Sequence, residues 1–255
     1  MDAMMGIIEI ENVSLQYPVR IGGRERSIMA AAAATASFGR IAGDVKTVPQ
    51  IEAVRDLNLS IASGEKVGLI GRNGSGKSTV LRAIAGHLYP ASGRMSVNGD
   101  VTALFSLAAG ANGDRTGRDN LKLMARLLKI AAADQGAFEK DVFEFTELGE
   151  FFDLPIRTYS AGMLIRYLFA AMTYSVSEIL VVDEIIGAGD SFFFTKAKAR
   201  AEQIFKKSNV FVMATHSEEI LVEMCDRAIH LHRGRVVDDG KPAEVWRRYA
   251  TGECS

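Results

Sequence analysis

The sequence predicts an α/β fold with a mainly parallel sheet and a helical insertion in the middle of the chain. Short apolar runs suited to strands lie toward both ends of the 255 residues, and they alternate with segments of helical character. From about residue 117 to 175 the pattern is mainly helical instead. Because strands that alternate with helices are typical of parallel sheets, we expect both ends of the chain to contribute to such a sheet.

The individual strands are predicted from their apolar patterns. Residues 6–17 alternate apolar and polar side chains, which suits a strand or a hairpin arm. Residues 66–71, KVGLIG, and 178–184, EILVVDE, are short apolar runs that suit buried strands. Further strands are predicted over 53–61, within 93–105 and over 209–216, and a hairpin is predicted over 227–240.

Composition excludes several classes of protein. Hydrophobic residues make up 48% of the chain, which is enough for one well-buried core. The 30 basic and 31 acidic residues give a net charge of −1, which argues against a nucleic-acid-binding surface. No apolar run reaches the roughly 18–20 residues that span a bilayer. We therefore expect a soluble protein, and its two cysteines, Cys225 and Cys254, are expected to be reduced thiols.

Residues 18–50 interrupt the strand pattern. They contain Gly22 and Gly23 and then an alanine-rich run, IMAAAAATASFGRIAG. Since alanine is the strongest helix former, a helix of roughly three turns is predicted near residues 27–40. A surface insertion without regular structure is the alternative that the composition leaves open.

Residues 71–79, GRNGSGKST, match the pattern G-x-x-x-x-G-K-[ST] between a predicted strand and a predicted amphipathic helix. The glycines let backbone N–H groups face a phosphate without side-chain clashes. Lys77 is expected to bind the β- and γ-phosphates, Ser78 to bind Mg²⁺ and Thr79 to bind near the α-phosphate. The predicted loop consists of Gly71, Arg72, Asn73, Gly74, Ser75, Gly76, Lys77, Ser78 and Thr79. The motif predicts nucleotide binding but does not distinguish kinases, GTPases and transport ATPases.

Two carboxylates end the apolar run 178–184, and a histidine ends the next predicted strand. Because α/β sheets bind ligands at the carboxyl ends of their strands, Asp183 is expected to hold the Mg²⁺ shell and Glu184 to polarise the attacking water. The strand before His216 is expected to lie beside this one, so His216 is assigned a γ-phosphate contact. A helix-capping acid pair and a structural histidine are the alternatives.

A second small turn, YSAGM at residues 159–163, precedes another apolar helix. The order of phosphate loop, YSAGM, acidic pair and strand-end histidine resembles the nucleotide-binding subunit of ABC transporters over about residues 5–250. The resemblance implies a P-loop NTPase of the ABC type, with a mainly parallel core sheet, an antiparallel β subdomain and a helical subdomain of about residues 107–175. It also implies that residues 1–255 form a single nucleotide-binding domain.

The resemblance implies that two such chains pack head to tail. The signature turn of one chain, made of Ser160, Ala161, Gly162 and Met163, then covers the γ-phosphate held by the other. Ser160 would supply a hydroxyl group and Gly162 a backbone N–H. Asp190 is the acid of the following turn, IGAGD, through which each subunit of this family senses its partner's site.

Departures from the common ABC pattern resemble the subfamily that exports bacterial polysaccharides such as O-antigen, capsule and teichoic acids. The signature has Ala161 and Met163 where most members have glycine and glutamine, and residues 101–121 continue through T-G-R-D-N. The usual polar amide or acid after the preceding strand falls at Ser106. Serine is shorter and uncharged, which favours a bridging water over direct contact with Mg²⁺.

The same resemblance assigns roles to two further segments. An aromatic residue stacks on adenine in this family, and Tyr17 fits that role, with Phe38 as a lesser rival and an ordinary strand tyrosine as the alternative. Members of the polysaccharide subfamily often carry an extra helix after that residue. Residues 27–44, within an insertion of about 19–50, are therefore interpreted as a gate element for a lipid-linked sugar chain.

The resemblance implies the ATPase subunit of an ABC-2-type exporter that uses ATP and Mg²⁺. ATP binding would close the dimer, hydrolysis would open it, and a separate membrane-spanning permease would move the polysaccharide. Lys77, Glu184 and His216 are the catalytic candidates, and the subunit is expected to be peripheral to the cytoplasmic face of the inner membrane. The alternatives are the ATPase of another ABC exporter, for drugs or lipids, and a soluble ABC ATPase that acts on ribosomes or DNA.

Overall fold

Two β-sheets and a set of packed helices form the part of the chain that the structure, a computed structural model, describes: residues 7–18, 50–104, 111–175, 177–183 and 191–253. In chain order the strands are β1 (Ile8–Pro18), β2 (Gln50–Ile61), β3 (Lys66–Ile70), β4 (Ser92–Val97), β5 (Val101–Ala103), β6 (Ile179–Asp183), β7 (Val210–Ala214), β8 (Arg227–His232) and β9 (Arg235–Gly240). The α-helices are α1 (Lys77–Ile84), α2 (Gly117–Leu127), α3 (Gln135–Thr146), α4 (Ala161–Met172), α5 (Ser191–Lys207), α6 (Glu218–Met224) and α7 (Pro242–Thr251).

The larger sheet has the strand order β5-β6-β7-β3-β8-β9. Its neighbouring strands are parallel except for the last pair, β8 and β9, which form the predicted hairpin. Strands β3, β6 and β7 are buried along almost their whole length, as is usual for parallel strands covered on both faces. The prediction of an α/β fold with a mainly parallel sheet is confirmed.

Alternate residues of the buried strands pack into separate clusters on the two faces of this sheet. On β6, Val181 packs in a cluster with α1 and the smaller sheet. Its neighbours Leu180 and Val182 pack in a second cluster with residues of α5, α6 and α7. This alternation follows from the two-residue period of a strand, so both faces of the apolar run must be covered.

The smaller sheet is antiparallel, with the strand order β2-β1-β4. The alternation predicted for residues 6–17 is present only at the start of β1, where Ile8 and Ile10 are buried and Glu11 is exposed. Register shifts interrupt it from Ile10 onward, and residues 13–15 are all buried. The short strands predicted within residues 93–105 belong to different sheets. Strand β4 completes the antiparallel sheet, and β5 lies at the edge of the parallel one.

Residues 111–175 fold mainly as helices around a core of their own. Three large aromatic side chains of this core, Phe138, Phe152 and Tyr167, are fully buried. Helix α2 is capped by Thr116, whose hydroxyl oxygen accepts a hydrogen bond from the Asp119 N–H at 3.0 Å.

Helix α5 joins this helical region to the larger sheet. Lys196 Nζ donates to the Phe145 carbonyl oxygen at 3.0 Å and to the Glu147 carboxylate at 2.6 Å, where α3 ends. Arg200 Nη2 donates to the Asp141 carboxylate at 2.5 Å. A cation at the end of α3 is favourable because the last carbonyl groups of a helix lack intrahelical partners.

Arg227, at the start of β8, ties the two sheets together. Its Nε and Nη2 atoms donate to the two carboxylate oxygens of Asp239 at 2.8 and 2.7 Å. Its Nη1 atom donates to the Ser60 carbonyl oxygen at 2.9 Å and to Glu65 at 3.3 Å. One partly buried guanidinium group therefore holds β8, β9 and the end of β2.

The alanine-rich segment near residues 27–40, predicted to be helical, lies outside the described residues, as does the whole of 19–49. None of the helices in the described ranges combines the length and the apolar character that crossing a bilayer requires.

We expect Arg227→Lys to lower the free energy of unfolding by about 1–2 kcal/mol, because an ammonium group cannot replace the planar, two-bonded contact with Asp239. Chemical denaturation followed by circular dichroism measures this loss. Arg235→Lys is the matched control, since the Arg235–Asp56 pair is more than half exposed, and a change of less than about 0.5 kcal/mol is expected there. Equal losses in the two variants would contradict the role given to Arg227.

Candidate nucleotide-binding site

Residues 71–79 make the turn from β3 into α1, as predicted. Gly71 and Gly76 have φ values of 142° and 110°, in the range that favours glycine. A Cβ atom on Gly71 would also lie 2.2 Å from the Leu231 carbonyl oxygen. The loop can therefore pass close to β8 and still turn directly into the N-terminus of a helix.

Lys77 is the first residue of α1, and its side chain is buried within the loop. Its Nζ atom donates to the Gly71 carbonyl oxygen at 2.6 Å and lies 3.3 Å from that of Arg72. The first N–H groups of a helix have no intrahelical partners and stand at the positive end of the helix dipole. A buried cation beside a helix N-terminus is the chemistry that binds a phosphate group.

A cavity of about 260 Å³ opens above this loop. It brings together most of the predicted phosphate loop, the carboxylate at the end of β6 and the histidine that follows β7. The lining residues are Ala53, Asn73, Gly74, Ser75, Gly76, Lys77, Ser78, Thr79, Asp183 and His216.

The strand order explains why residues so far apart in sequence share one cavity. Strand β7 lies between β6 and β3, and all three are parallel, so their carboxyl ends meet at one edge. Asp183 ends β6 and is paired in register with Ala214, which ends β7. The prediction that His216 itself ends this strand is wrong by two residues, because the strand ends at Ala214 and the chain bends at His216 before α6. The prediction that this strand lies beside β6 is confirmed.

Ala53 lines the cavity although no sequence pattern singled it out. It belongs to β2 in the smaller sheet, and its carbonyl oxygen would lie 3.0 Å from a Cβ atom on Gly76 and 2.7 Å from one on Gly234. Packing of the smaller sheet against the loop places this backbone at the cavity wall, and no local motif encodes such a contact.

Tyr17 lies close to the cavity but does not line it. The side chain is half-buried on β1, and its hydroxyl group is 3.5 Å from Thr79 Oγ1. Gly71, which is buried, and Arg72, which is exposed, are also absent from the lining. The rival aromatic residue, Phe38, lies outside the described residues.

The signature turn stands at the start of α4 and does not line the cavity. Ser160 is exposed and caps the helix, because its Oγ atom accepts a hydrogen bond from the Met163 N–H at 3.2 Å. Ala161 is also exposed. Apart from its chain neighbours and the backbone of its own helix, a Cβ atom on Gly162 would meet no described atom within 4 Å.

Ser78 and Asp183, predicted to hold Mg²⁺, both line the cavity. Mg²⁺ is usually bound by one or two protein oxygen atoms together with substrate phosphates and water, so this pair fits the ion. The described ranges contain no group of three or more His, Cys, Asp or Glu side chains that could hold a metal ion. Ser106, Glu184 and Asp190 lie outside the described residues, so their roles stay predictions.

Solved structures share this fold. The dimeric ATP-binding cassette MJ0796, in a post-hydrolysis state bound to ADP and Pi, superposes with a TM-score of 0.67 at 20% sequence identity. The match covers 92% of this chain and 98% of that one. At this level of identity the likeness concerns the fold alone.

Sequence relatives are more similar. The O-antigen export system ATP-binding protein RfbE of Yersinia enterocolitica is 36% identical over 230 residues, which cover 90% of this chain and 95% of that protein. RfbB of Myxococcus xanthus, with the same description, is 41% identical over 78% of this chain. The teichoic acids export ATP-binding protein TagH of Lactococcus lactis is 33% identical over 82% of it. The chain spans about half the length of these last two relatives, 46% and 45%.

A protein-family model described as ABC transporter matches residues 54–187, just over half of the 255 residues, from within β2 to shortly after β6. Along the chain, this range contains the phosphate loop, then the signature turn and then Asp183. With a relative such as RfbE matched along nearly its whole length, the chain belongs to the ABC transporter family of ATP-binding proteins.

Proposed function

We propose that two copies of this chain bind and hydrolyse ATP between them, and so drive export of a bacterial surface polysaccharide through a separate permease. One observation carries the proposal. The phosphate loop, Asp183 and His216 line one cavity, whereas the signature turn at Ser160 stands outside it. A chain with two anion-binding turns in different places is suited to completing the cavity of a second copy.

In this proposal the phosphates of ATP lie along the loop from Asn73 to Thr79. Lys77 would leave its carbonyl partners and bind the β- and γ-phosphates, since a phosphate oxygen is a stronger acceptor for an ammonium group than a peptide carbonyl is. Adenine would stack on Tyr17, whose hydroxyl group already lies beside Thr79 at the end of the loop. Mg²⁺, held by Ser78 and Asp183, would neutralise charge on the phosphates.

Hydrolysis requires a water molecule that is oriented toward the γ-phosphate and loses a proton. Glu184 directly follows Asp183 in the chain, so we assign it the role of general base at the same edge of the sheet. His216 lines the cavity on the neighbouring side and would contact the γ-phosphate. Stabilisation of the charge on the transferring phosphoryl group is the main contribution expected of such residues.

The glycine of the signature turn supports a site formed between two chains. Gly162 does not have a positive φ value, and no described atom would clash with a side chain there. Glycine in a helix interior costs about 1 kcal/mol relative to alanine, and no contact among the described residues accounts for a glycine at this position. A phosphate held by a second copy does account for it, because a Cβ atom would separate the phosphate from the N–H groups of α4.

The substrate class rests on the relatives. RfbE and RfbB are named for O-antigen export and TagH for teichoic acids export. We therefore place this chain at the cytoplasmic face of the inner membrane, attached to a permease that moves a lipid-linked polysaccharide. Residues 27–44 are assigned to a gate element near the entry for that chain, and Asp190 to the turn that senses the partner's site.

Glu184→Gln is expected to bind ATP and accumulate as a closed dimer, with hydrolysis lowered by about 10²-fold or more, because an amide cannot accept the proton of the attacking water. Light scattering after size exclusion measures the dimer, and phosphate release measures hydrolysis. Glu150→Gln, which changes an exposed carboxylate of the helical region, is the control and should hydrolyse ATP normally. Full hydrolysis by Glu184→Gln would remove Glu184 from the role of base.

A mixture of two inactive variants tests whether the site is shared. Lys77→Ala removes the phosphate-binding ammonium group, and Ser160→Arg places a bulky side chain on the signature turn. In a mixed dimer, Lys77 of one chain and Ser160 of the other complete one intact site. An equimolar mixture should therefore recover about a quarter of wild-type hydrolysis, since half of the dimers are mixed and each has one intact site of two.

The controls for the mixture are the two variants assayed alone, with folding checked by circular dichroism. Each alone should hydrolyse almost no ATP. Folded variants that stay inactive together would contradict the head-to-tail arrangement, and wild-type activity of Ser160→Arg alone would show that the signature turn has no part in hydrolysis.

The export role is tested by purification of the tagged chain from its native host in mild detergent, with an untagged strain as the control. We expect a multi-spanning permease to co-purify, and deletion of that permease to stop display of the surface polysaccharide. A soluble partner in the absence of any membrane protein would favour the soluble ABC ATPase instead.

A further inference from the structure

Two features of the sequence have no role in the cavity: the run TGRDN at residues 116–120 and the tyrosine of YSAGM. In the structure they lie against each other. We propose that the contact between Gly117 and Tyr159, supported by Asn120, positions the signature turn for the ATP site of a second chain. This inference rests on the proposed function, and Gly117, Asn120 and Tyr159 are positioning residues in it, since they do not contact the nucleotide.

Asn120 holds the loop before α2 in a closed shape. The residue is completely buried. Its Nδ2 atom donates to the carbonyl oxygens of Asn112, Arg115 and Thr116 at 3.0, 3.1 and 3.0 Å, and its Oδ1 atom accepts from the Asn112 N–H at 2.8 Å. An amide is the side chain that can donate and accept in this way, and carboxylate or aliphatic residues of similar size cannot.

The closed loop is hydrogen-bonded to the segment just before the signature turn. The Ile156 N–H donates to the Arg115 carbonyl oxygen and the Arg157 N–H to that of Gly113, both at 3.0 Å. Arg157 also forms an ion pair with Asp114 at 2.6 Å. Backbone bonds on two consecutive residues leave this segment little freedom to move independently of the loop.

Gly117 lets the two segments approach closely. A Cβ atom at this position would lie 2.4 Å from Tyr159 Oη and 2.9 Å from the Phe152 carbonyl oxygen. Gly117 does not have a positive φ value, so the need for glycine comes from this contact and not from the backbone. Burial raises the pKa of the Tyr159 phenol to about 12, so the hydroxyl group is neutral where it meets Gly117.

A second tyrosine connects Gly117 to the signature helix itself. Tyr167 lies within α4, is completely buried, and donates from its hydroxyl group to the Gly117 carbonyl oxygen at 2.7 Å. Its ring meets that of Tyr159 edge to face, with centroids 5.9 Å apart. The start of α2 thus contacts the chain on both sides of Ser160. Tyr159 directly precedes Ser160, and Tyr167 follows it by two helical turns.

This arrangement means that the position of Ser160 depends on the loop of residues 112–116 as well as on its own helix. A signature turn that must reach the γ-phosphate of another chain needs such support, because a misplacement of about 1 Å can cost about 10²-fold in rate. The TGRDN run therefore supports and positions the YSAGM turn.

Gly117→Ala tests the contact. Alanine favours helix over glycine at the start of α2, so a loss cannot come from helix propensity. We expect kcat for ATP hydrolysis to fall by about 10–100-fold, because the signature turn is displaced. The affinity of a single chain for a fluorescent ATP analogue should change by less than about twofold, because its own cavity is untouched. In the Glu184→Gln background, the same change should reduce ATP-dependent dimer formation.

Gly113→Ala is the matched control. It makes the same substitution in the same loop, where the new methyl group would lie 3.6 Å from Arg157 Cβ, an ordinary contact. Hydrolysis and dimer formation should be unchanged. Addition of Tyr159→Phe to Gly117→Ala removes the oxygen that lies closest to the new methyl group, so it should restore part of the lost kcat.

Tyr167→Phe is a second test that adds no atoms and disturbs folding least. It removes one buried hydrogen bond to Gly117, and we expect kcat to fall by about 3–10-fold with ATP affinity unchanged, as the loss of one such bond allows. Wild-type hydrolysis in both Gly117→Ala and Tyr167→Phe would overturn the inference. A loss of ATP affinity large enough to explain the fall in rate would overturn it as well.

Ser160→Ala, measured alongside, separates this inference from the proposed function. If Ser160→Ala hydrolyses ATP and dimerises normally, the signature turn has no role in a shared site, and both proposals fail. If Ser160→Ala is impaired while Gly117→Ala and Tyr167→Phe are normal, the shared site stands and only the positioning role fails.

Discussion

The parallel pairing of β6, β7 and β3 brings the chemical groups of the cavity together. Parallel strands place their carboxyl ends at one edge of a sheet, and here that edge receives the phosphate loop from β3, Asp183 from β6 and His216 from the turn after β7. An antiparallel β6 would instead carry Asp183 to the opposite edge of the sheet, away from the Lys77 ammonium group. All three strands are buried and contain β-branched residues, because each strand is covered on both faces of the sheet.

The cavity also depends on parts that carry none of its chemistry. The smaller sheet supplies Ala53 to the wall, and Arg227 holds the end of that sheet to the hairpin of β8 and β9. On the other side, Lys196 and Arg200 of α5 bind the helical region that carries the signature turn. These contacts set where the phosphate loop and the signature turn stand relative to each other, so under the proposed function they determine how two copies could meet.

Glycine has a different physical explanation at each of three positions in the chain. Gly71 is required by a positive φ value and by the nearby Leu231 carbonyl group, so its cause lies within the loop and its neighbour strand. Gly117 is required by the hydroxyl group of Tyr159, so its cause is a contact within the helical region. Gly162 has no cause among the described residues, and a ligand held by another chain is the explanation that we propose.

The fold class, most strands, the phosphate loop and the acidic strand end could be predicted from local patterns, because strand period and glycine spacing act over a few neighbouring residues. The signature turn was recognisable through the resemblance to a known family. Four features became evident from the three-dimensional fold: β4 and β5 belong to different sheets, β7 ends two residues before His216, Ala53 reaches the cavity, and Gly117 meets Tyr159. Each of these depends on contacts between residues far apart in the chain, which are set by packing and leave no periodic pattern in the sequence.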